Sequence, residues 1–259
     1  MVAFQRTPVA LTIAGSDSGG EAGIQADLEV FKSLGLHGAA AITCVTAQNR
    51  LRVHAIEPCS ARIVRQQIIA VLEGYAPIAA KTGMLYSAAI IRTVSETWSG
   101  RGIPLVIDPV LLSTSGSRLL QPGAMTALKE LLPRAVLVTP NLPETEALIG
   151  ERVRTPEEMR TAARQLHDQF GCAALVKGGH MTSTDEATDF FYDGQSELLL
   201  RAPLRKGVRL HGTGCRLSAA ITGFLAKGST LPRAVALGKQ FITDWITAQG
   251  TTKNTKPRR

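Results

Sequence analysis

Short runs of apolar residues alternate with amphipathic stretches along almost the whole chain, and this alternation restricts the fold more than any other feature. The runs are rich in β-branched residues without polar alternation, which indicates strands covered on both faces. Strands and helices in alternation predict an α/β fold of three layers, a mostly parallel sheet with helices on both faces. The predicted strands are Val9–Ala14, Ala39–Thr46, Ile78–Lys81, Leu105–Asp108, Ala135–Thr139 and Ala173–Lys177. The predicted helices are Ile24–Ser33, Ala61–Leu72, Ser87–Trp98, Ala124–Leu132, Pro156–Phe170, Leu217–Ala226 and Ala234–Ile246.

The pattern changes near residue 190, where two short apolar runs flank Asp193-Gly194. Phe190–Tyr192 and Glu197–Arg201 therefore predict an antiparallel hairpin. No long linker, low-complexity block or internal repeat divides the 259 residues, so we expect one domain over residues 1–250. Residues 251–259 carry four basic side chains without apolar periodicity and predict a basic, flexible tail.

Composition and charge narrow the classes of function. Lys and Arg number 29 against 21 Asp and Glu, which favours attraction of anions such as nucleotides. No basic helix is interleaved with aromatic residues, so we expect no nucleic-acid partner. The N-terminal residues are too few and too polar for a secretory signal, and no apolar run approaches the roughly 20 residues that span a bilayer. We expect a cytoplasmic protein without a membrane partner.

The four cysteines are far apart in the sequence and form no C-x-x-C pair. This spacing argues against a zinc site and against a disulfide framework. Free thiols of this kind are typical of a reducing cytoplasm.

The carboxyl ends of the predicted strands form the expected ligand site, because ligands of open α/β sheets bind outside these ends. Nearly every strand ends in polar residues or glycine. These ends are Gly15-Ser16-Asp17, Thr46-Ala47-Gln48, Thr82-Gly83-Met84, Asp108-Pro109-Val110, Pro140-Asn141 and Lys177-Gly178-Gly179.

The phosphate-handling motif of this chain is not one of the common ones. Both G-x-x-x-x-G-K-[S/T] and a G-x-G-x-x-G after the first strand are absent. The glycine-rich segment Gly15–Gly23 follows the first strand, either as a close backbone approach to a small ligand or as a flexible turn. His211–Cys215 leads directly into a predicted helix. Its glycines and the unpaired amides of the helix start predict a site for anionic oxygen during phosphoryl transfer.

Cys215 stands at the start of that helix. A helix N-terminus lowers the pKa of a thiol, so we expect a reactive cysteine there. The alternative is one more small buried residue, which is the usual setting of a free cysteine.

Several short segments occur together in one order, and their combination resembles the hydroxymethylpyrimidine/phosphomethylpyrimidine kinases of the ribokinase-like superfamily over about Val9 to Ile246. The segments are Ala14-Gly15-Ser16-Asp17-Ser18, Gly23-Ile24-Gln25-Ala26-Asp27, Thr46-Ala47-Gln48-Asn49, Lys81-Thr82-Gly83-Met84, Asp108-Pro109-Val110, Thr139-Pro140-Asn141-Leu142-Pro143-Glu144, Val176-Lys177-Gly178-Gly179-His180 and His211-Gly212-Thr213-Gly214-Cys215. The resemblance implies a ribokinase-like fold and a homodimer. It also implies ATP-dependent phosphorylation of 4-amino-5-hydroxymethyl-2-methylpyrimidine and of its monophosphate in thiamin biosynthesis.

The resemblance places the pyrimidine among Gly15, Asp27, Gln48, Met84 and Val110. A carboxylate and a carboxamide suit the aminopyrimidine edge, and the apolar side chains suit the ring faces. Taken singly, Met84 also fits core packing, and Asp27 also fits a solvated charge in the first helix.

The resemblance assigns Lys177, Asn141 and Thr213 to the nucleotide, with Asn141 and Glu144 orienting Mg²⁺ and the phosphates through water. Asp108 is a helper at the neighbouring strand end. Mg²⁺ keeps several waters, so two or three protein oxygens suffice. Glu144 also fits a first-turn acid favoured by the helix dipole, and Lys177 fits a strand-end lysine that reaches solvent.

The catalytic group implied by the resemblance is Cys215, which activates or positions the substrate hydroxyl. The amides of Gly212, Thr213, Gly214 and Cys215 form the anion hole. Positioning alone accounts for much of phosphoryl transfer, so a thiolate base and a positioning thiol both remain open.

The chain departs from the family pattern around both glycine-rich segments. Glu21 stands where glycine is usual and Gly19 where serine is frequent, while Arg209, Leu210 and Arg216 replace Asn, Thr and Thr. Our hypothesis is that Arg209 or Arg216 supplies positive charge to the phosphate site and lowers the pKa of Cys215. The alternative is an arginine that faces solvent.

Three other functions compete with the main interpretation. A pyridoxal, pyridoxine or pyridoxamine kinase acts on a similar flat heterocycle with a hydroxymethyl group. A regulatory protein that binds nucleotide or vitamer without catalysis is a rival from another class. A sugar or nucleoside kinase of the same superfamily is the third, and the absence of Asp at position 215 argues against it.

Overall fold

The computed structural model describes residues 7–179, 186–203 and 211–252. Within these ranges a nine-stranded sheet has the order β3-β2-β1-β4-β5-β6-β7-β8-β9. Its strands are β1 (Val9–Asp17), β2 (His37–Gln48), β3 (Val53–Pro58), β4 (Ala79–Thr82), β5 (Leu105–Ile107), β6 (Leu137–Val138), β7 (Ala173–Lys177), β8 (Glu186–Tyr192) and β9 (Glu197–Pro203). The six central strands are parallel, whereas β3, β8 and β9 pair in antiparallel fashion.

Helices cover both faces of the sheet, as the alternation of elements predicts. They are α1 (Gly23–Ser33), α2 (Ala61–Tyr75), α3 (Ala88–Trp98), α4 (Met125–Leu131), α5 (Leu142–Ile149), α6 (Pro156–Phe170), α7 (Thr213–Ala226) and α8 (Leu231–Thr252). Strand β5 shows why its sequence lacks polar alternation. Leu105 and Ile107 enter the core beneath α2, α3, α4 and α6, and Val106 enters the core beneath α7 and α8. The three-layer α/β fold is confirmed.

Two elements were absent from the sequence prediction. Strand β3 lies at the edge of the sheet with four of its six residues exposed, so no apolar run marks it. Helix α5 has only 8 residues and is defined by its cap at Asn141 rather than by apolar periodicity. Strand β6 is reduced to Leu137–Val138, although Ala135–Thr139 was expected.

The predicted hairpin is confirmed, because β8 and β9 pair from Glu186 with Pro203 to Tyr192 with Glu197. Helix α7 begins at Thr213, four residues before the predicted start at Leu217, so the glycine-rich motif leads straight into its first turn. Helix α8 continues to Thr252, and the rest of the predicted tail lies outside the described residues. Among the helices that the structure describes, none is long and apolar enough to cross a membrane.

Candidate active site

The carboxyl ends of the parallel strands open onto a cavity of about 1110 Å³. Every residue that the sequence analysis assigned to substrate, nucleotide, metal or phosphoryl transfer lines this cavity. They are Gly15, Asp27, Gln48, Met84, Asp108, Val110, Asn141, Glu144, Lys177, Gly212, Thr213, Gly214 and Cys215. Residues up to 200 positions apart in the sequence therefore meet at one edge of the sheet, as the fold class predicts.

One end of the cavity is apolar. Met84 is buried beside Cys44 and Leu119, with Val110 packed against them. A Cβ on Gly15 would lie 3.0 Å from the Cys44 sulfur and 3.3 Å from the Met84 sulfur, so only glycine leaves this wall undisturbed. Met84 thus satisfies both readings of its role, because it packs in a small core and also faces the cavity.

Asp27 is fully buried and is not the solvated charge that the sequence left open. Its Oδ1 accepts a hydrogen bond from Lys81 Nζ at 2.7 Å, and its Oδ2 accepts one from the Thr12 hydroxyl at 2.6 Å. Burial acts to lower the pKa of Lys81, but the adjacent Asp27 carboxylate holds it above its ordinary value. A buried ion pair therefore forms part of the cavity wall.

Lys81 was missed by the sequence analysis, which assigned its segment to Met84 alone. The signal was present, because a lysine at the end of an otherwise apolar buried strand needs a partner at that edge of the sheet. Only the tertiary structure identifies Asp27, 54 positions earlier, as that partner.

Asp108 lies at the end of β5 in a set of buried polar groups. Its Oδ1 accepts hydrogen bonds from Lys177 Nζ at 3.0 Å and from the Thr139 hydroxyl at 3.2 Å, and its Oδ2 accepts one from Ser218 at 3.2 Å. Burial acts to raise the pKa of Asp108, but the ammonium groups of Lys177 and Lys81 outweigh it and the pKa falls below its usual range. Asp108 is therefore ionised, and Lys177 is ion-paired rather than directed to solvent.

Glu144 serves as a helix cap and as a cavity residue at once. The Asn141 side chain accepts the Glu144 amide at 2.9 Å, and the Glu144 carboxylate accepts the Asn141 amide at 2.8 Å, which is a reciprocal capping box. Burial raises the pKa of Glu144 to about 7, and repulsion from the Asp108 carboxylate adds to this effect. Glu144 consequently changes charge near neutral pH.

The donor chemistry beside Asp108 and Glu144 suits Mg²⁺. Both residues offer carboxylate oxygens, Asn141 adds an amide oxygen, and all three line the cavity. The mutual repulsion of the two carboxylates would be relieved by a cation between them. Several of their oxygens already accept hydrogen bonds from protein groups, so the residues fit a metal held largely through water.

The amide-rich turn is the segment Gly212–Cys215, where α7 begins. Gly212 has a φ of 75°, and no side chain caps the first turn of α7. Lys177 Nζ lies close by, 3.2 Å from where a Cβ on Gly214 would be. Unpaired amides, the helix N-terminus and an ammonium group together make this end of the cavity electropositive.

The expected low pKa of Cys215 is wrong. Burial raises the pKa of its thiol to about 11, and the carboxylates of Asp108 and Asp27 add to the shift. The Lys81 ammonium and a hydrogen bond from the Gly23 amide act in the opposite direction but do not overcome burial. Cys215 is therefore a thiol, not a thiolate, at neutral pH.

The first loop, Asp17–Gly23, is held in a defined conformation rather than as a flexible turn. The Asp17 carboxylate accepts the amides of Gly19 at 2.8 Å, Glu21 at 3.1 Å and Ala22 at 2.9 Å. Asp17 was not identified as important from the sequence. Its position at the end of β1, ahead of several glycines, was the available signal.

Gln48 connects β2 to the segment before the amide-rich turn. Its side-chain nitrogen lies 3.2 Å from Nε2 of His211, and its backbone exchanges hydrogen bonds with the Ser18 hydroxyl. The first loop, the end of β2 and His211 therefore enclose one side of the cavity.

Three of the departures from the family pattern lie within the described residues, namely Gly19, Glu21 and Arg216, and the side chains of the last two pair with charged residues outside the cavity lining. Glu21 forms an ion pair with Arg50 beyond β2. Arg216 is buried, pairs with Glu29 and lies over the ring of Trp245, so the expectation of a solvent-facing arginine is wrong. Arg216 is also not a cause of the Cys215 pKa, which is raised. Arg209 and Leu210 lie outside the described residues.

Known proteins resemble this chain in sequence and in fold over most of its length. A family model for phosphomethylpyrimidine kinase matches residues 17–257. The hydroxymethylpyrimidine/phosphomethylpyrimidine kinase of Bacillus subtilis is 41% identical over 239 residues, covering 92% of this chain and 88% of that protein. The crystal structure of phosphomethylpyrimidine kinase from Clostridium difficile superposes with a TM-score of 0.82 at 38% identity, covering 93% of this chain and 100% of that one.

A pyridoxal kinase from Staphylococcus aureus, solved with AMP-PCP and pyridoxal, is also similar. Its TM-score is 0.82 at 33% identity, and the match covers 91% of this chain and 86% of that one. The fold is thus shared by kinases named for two different vitamers, whereas the family model and the curated relative carry the pyrimidine name. The chain belongs to the phosphomethylpyrimidine kinase family.

Proposed function

We propose that this protein transfers phosphate from ATP to 4-amino-5-hydroxymethyl-2-methylpyrimidine and then to its monophosphate, in thiamin biosynthesis. The observation that carries the proposal is one cavity with an apolar end at Met84 and Val110 and an electropositive end at Gly212–Cys215. A flat, methyl-bearing ring suits the first end, and a phosphoryl group in transfer suits the second.

The pyrimidine binds among Gly15, Asp27, Gln48, Met84 and Val110. Met84 and Val110 contact the faces of the ring, and the Gly15 backbone lies close to its edge because no side chain intervenes. Asp27 accepts from the amino group of the substrate. Its two oxygens already accept from Lys81 and Thr12, but each carboxylate oxygen has a further lone pair.

The nucleotide phosphates lie between Lys177 and the amides of Gly212–Cys215, with contacts to Asn141 and Thr213. Asp108 and Glu144 would hold Mg²⁺ through water. The metal would supply positive charge that neutralises the phosphate charge. Lys177 contributes a fixed positive charge, since its ion pair with Asp108 raises its pKa against the effect of burial.

Cys215 positions the substrate hydroxymethyl group. The hydroxyl oxygen forms a bond to the γ-phosphorus, the bond from that phosphorus to the bridging oxygen of ADP breaks, and the hydroxyl proton passes to solvent water. With a pKa of about 11 the thiol does not supply a standing base at neutral pH. The rate enhancement therefore comes from alignment of the hydroxyl and from stabilisation of the transferring phosphoryl group by the amides, as in phosphoryl transfer generally.

The test is ATP consumption in the presence of Mg²⁺, with the hydroxymethylpyrimidine, its monophosphate and pyridoxal compared and the products identified by mass. We expect a monophosphate and a diphosphate from the pyrimidine. Lys177→Met is the matched variant, because it removes the charge at the phosphate end and leaves the apolar end intact.

Turnover of pyridoxal alone would contradict the proposal and favour a vitamin B6 kinase, as the similarity to the Staphylococcus aureus enzyme allows. ATP binding without turnover on any of the three compounds would favour a regulatory protein. We further propose a cytoplasmic homodimer, as in the family that the sequence resembles, and sedimentation equilibrium measures the mass of the assembly.

A further inference from the structure

Arg216 follows Cys215 directly and joins three parts of the fold. Its Nη2 donates to the Glu29 carboxylate of α1 at 2.6 Å, and its Nη1 donates to the Glu21 carbonyl of the first loop at 2.6 Å. Its guanidinium carbon lies 4.4 Å from the ring centre of Trp245 in α8. Only 5% of Arg216 is exposed, whereas 61% of the Glu29 side chain is exposed, so the ion pair lies at the surface and the guanidinium itself lies beneath it.

The contact with Glu21 joins two segments that line the cavity, the first loop and the amide-rich turn. A Cβ on Gly212 would overlap the Glu21 carbonyl oxygen, so the first loop and the amide-rich turn touch through their backbones. Arg216 therefore closes a junction in which the first loop is hydrogen-bonded to the first turn of α7 at the same point where the two backbones touch.

We propose that Arg216 is a positioning residue for phosphoryl transfer. It holds the Glu21 carbonyl against Gly212 and so sets the distance between the first loop, beside the pyrimidine, and the amides that receive the phosphoryl group. Its effect is indirect, since its guanidinium is directed to Glu21, Glu29 and Trp245. The expected effect on kcat rests on the proposed function, whereas the expected effect on the contact between the first loop and the amide-rich turn does not.

The planar guanidinium is required by the geometry. One side chain donates from two nitrogens in different directions while its face covers an aromatic ring, which a lysine ammonium cannot do. Arg216→Lys keeps the charge and at most one of the two donor contacts. Arg216→Met keeps an apolar stem over Trp245 and loses both hydrogen bonds.

The first measurement is steady-state kinetics of Arg216→Met and Arg216→Lys with the pyrimidine. For Arg216→Met we expect kcat to fall at least on the order of tenfold, with the KM values for ATP and pyrimidine within about threefold of wild type. Arg216→Lys recovers part of the loss. Arg164→Met is the matched control, because Arg164 also pairs with a glutamate and lies over an aromatic ring, Tyr192, but outside the cavity. Its kcat stays at the wild-type value.

The second measurement is backbone hydrogen exchange, which needs no substrate. We expect the amides of residues 17–23 and 212–216 to exchange at least about tenfold faster in Arg216→Met, at a temperature where circular dichroism shows all variants folded. If Arg216→Met does not fold, hydrogen exchange is measured in Arg216→Lys instead. Unchanged exchange in both segments, or a change in KM with kcat preserved, would overturn the positioning role. A wild-type protein without turnover would defeat the proposed function, and the exchange rates alone would then decide the role of Arg216.

Discussion

Burial, more than residue type, sets the protonation states of the site. Cys215 stands at a helix N-terminus, where a low thiol pKa is usual, yet burial and two nearby carboxylates raise its pKa to about 11. Glu144 accepts a backbone amide, which favours the ionised form, yet burial raises its pKa to about 7. Asp108 differs because Lys177 and Lys81 compensate its charge. The ammonium groups thus keep Asp108 ionised, whereas burial raises the pKa of Asp27 in spite of its ion pair with Lys81.

The pKa of Cys215 predicts slow alkylation at neutral pH. The thiolate fraction should increase tenfold for each pH unit up to about 11, so the logarithm of the iodoacetamide rate should rise linearly from pH 7 to pH 9.5. Mass spectrometry of the peptide that contains Cys215 measures the rate. Free glutathione, assayed in parallel, should level off above its own pKa of roughly 8.5–9. A plateau for Cys215 near pH 8 would mean that the thiol is activated after all.

The Cys215→Ser variant tests what the high pKa of Cys215 means for catalysis. A hydroxyl can position the substrate much as a thiol does, so we expect kcat within about tenfold of wild type and a larger loss for Cys215→Ala. Equal, near-complete loss in both variants with substrate binding preserved would point to thiolate base chemistry instead.

At the scale of the element, α7 begins at the amide-rich turn, and both of its ends are bounded by glycines in the left-handed region. Gly212 precedes the helix with a φ of 75°, and Gly228 follows it with a φ of 82°. Their surroundings differ. A Cβ on Gly212 would overlap the Glu21 carbonyl, whereas nothing lies within 4 Å of one on Gly228. The same residue type therefore serves close packing at one end and helix termination at the other.

Alanine substitutions at Gly212 and Gly228 distinguish the effect of close backbone packing from the effect of helix termination. Gly212→Ala should push the first loop away from the amide-rich turn and lower kcat at least on the order of tenfold, in addition to a strain of about 1 kcal/mol. Gly228→Ala should cost about 1 kcal/mol of unfolding free energy and leave kcat unchanged. Steady-state kinetics and urea unfolding measure both quantities. Full activity in Gly212→Ala would show that the junction tolerates separation.

At the scale of the whole molecule, one continuous sheet is covered by two helical layers, and residues of both layers line the cavity. The Lys239 ammonium of α8 reaches Asp189 of β8 at 2.8 Å, and Asp189 in turn accepts the Gly178 amide at 3.1 Å just beyond β7. Both acid and ammonium line the cavity. The layer of α1, α7 and α8 is thus tied to the strand ends that carry Lys177.

We predict that the chain unfolds as a single domain. Its two tryptophans report on opposite layers, because Trp98 lies in the core beneath α3 and Trp245 packs against the core beneath α8. In Trp98→Phe and in Trp245→Phe, the remaining fluorescence signal should have the same urea midpoint as far-ultraviolet circular dichroism. An ATP analogue should raise both midpoints together. Separate midpoints within one variant would indicate two independently unfolding parts.

The residues assigned to the site from the sequence all reach the cavity because their positions follow from periodicity and topology. Once Leu105–Ile107 and Ala173–Lys177 are parallel strands of one sheet, Asp108 and Lys177 must lie at the same edge. Strand β3 and helix α5 were not predicted from the sequence. An exposed edge strand and a short capped helix bury too few apolar residues to produce a periodic pattern.

The sequence by itself thus determined the layered α/β architecture, the edge of the sheet at which the cavity opens and the chemical groups gathered there. Only the tertiary structure decided how those groups are paired and charged. Asp27 with Lys81 and Arg216 with Glu21 are contacts between distant segments, and no local pattern encodes them. The protonation of Cys215 and Glu144 depends on burial and on neighbouring charges, which exist only after the chain has packed.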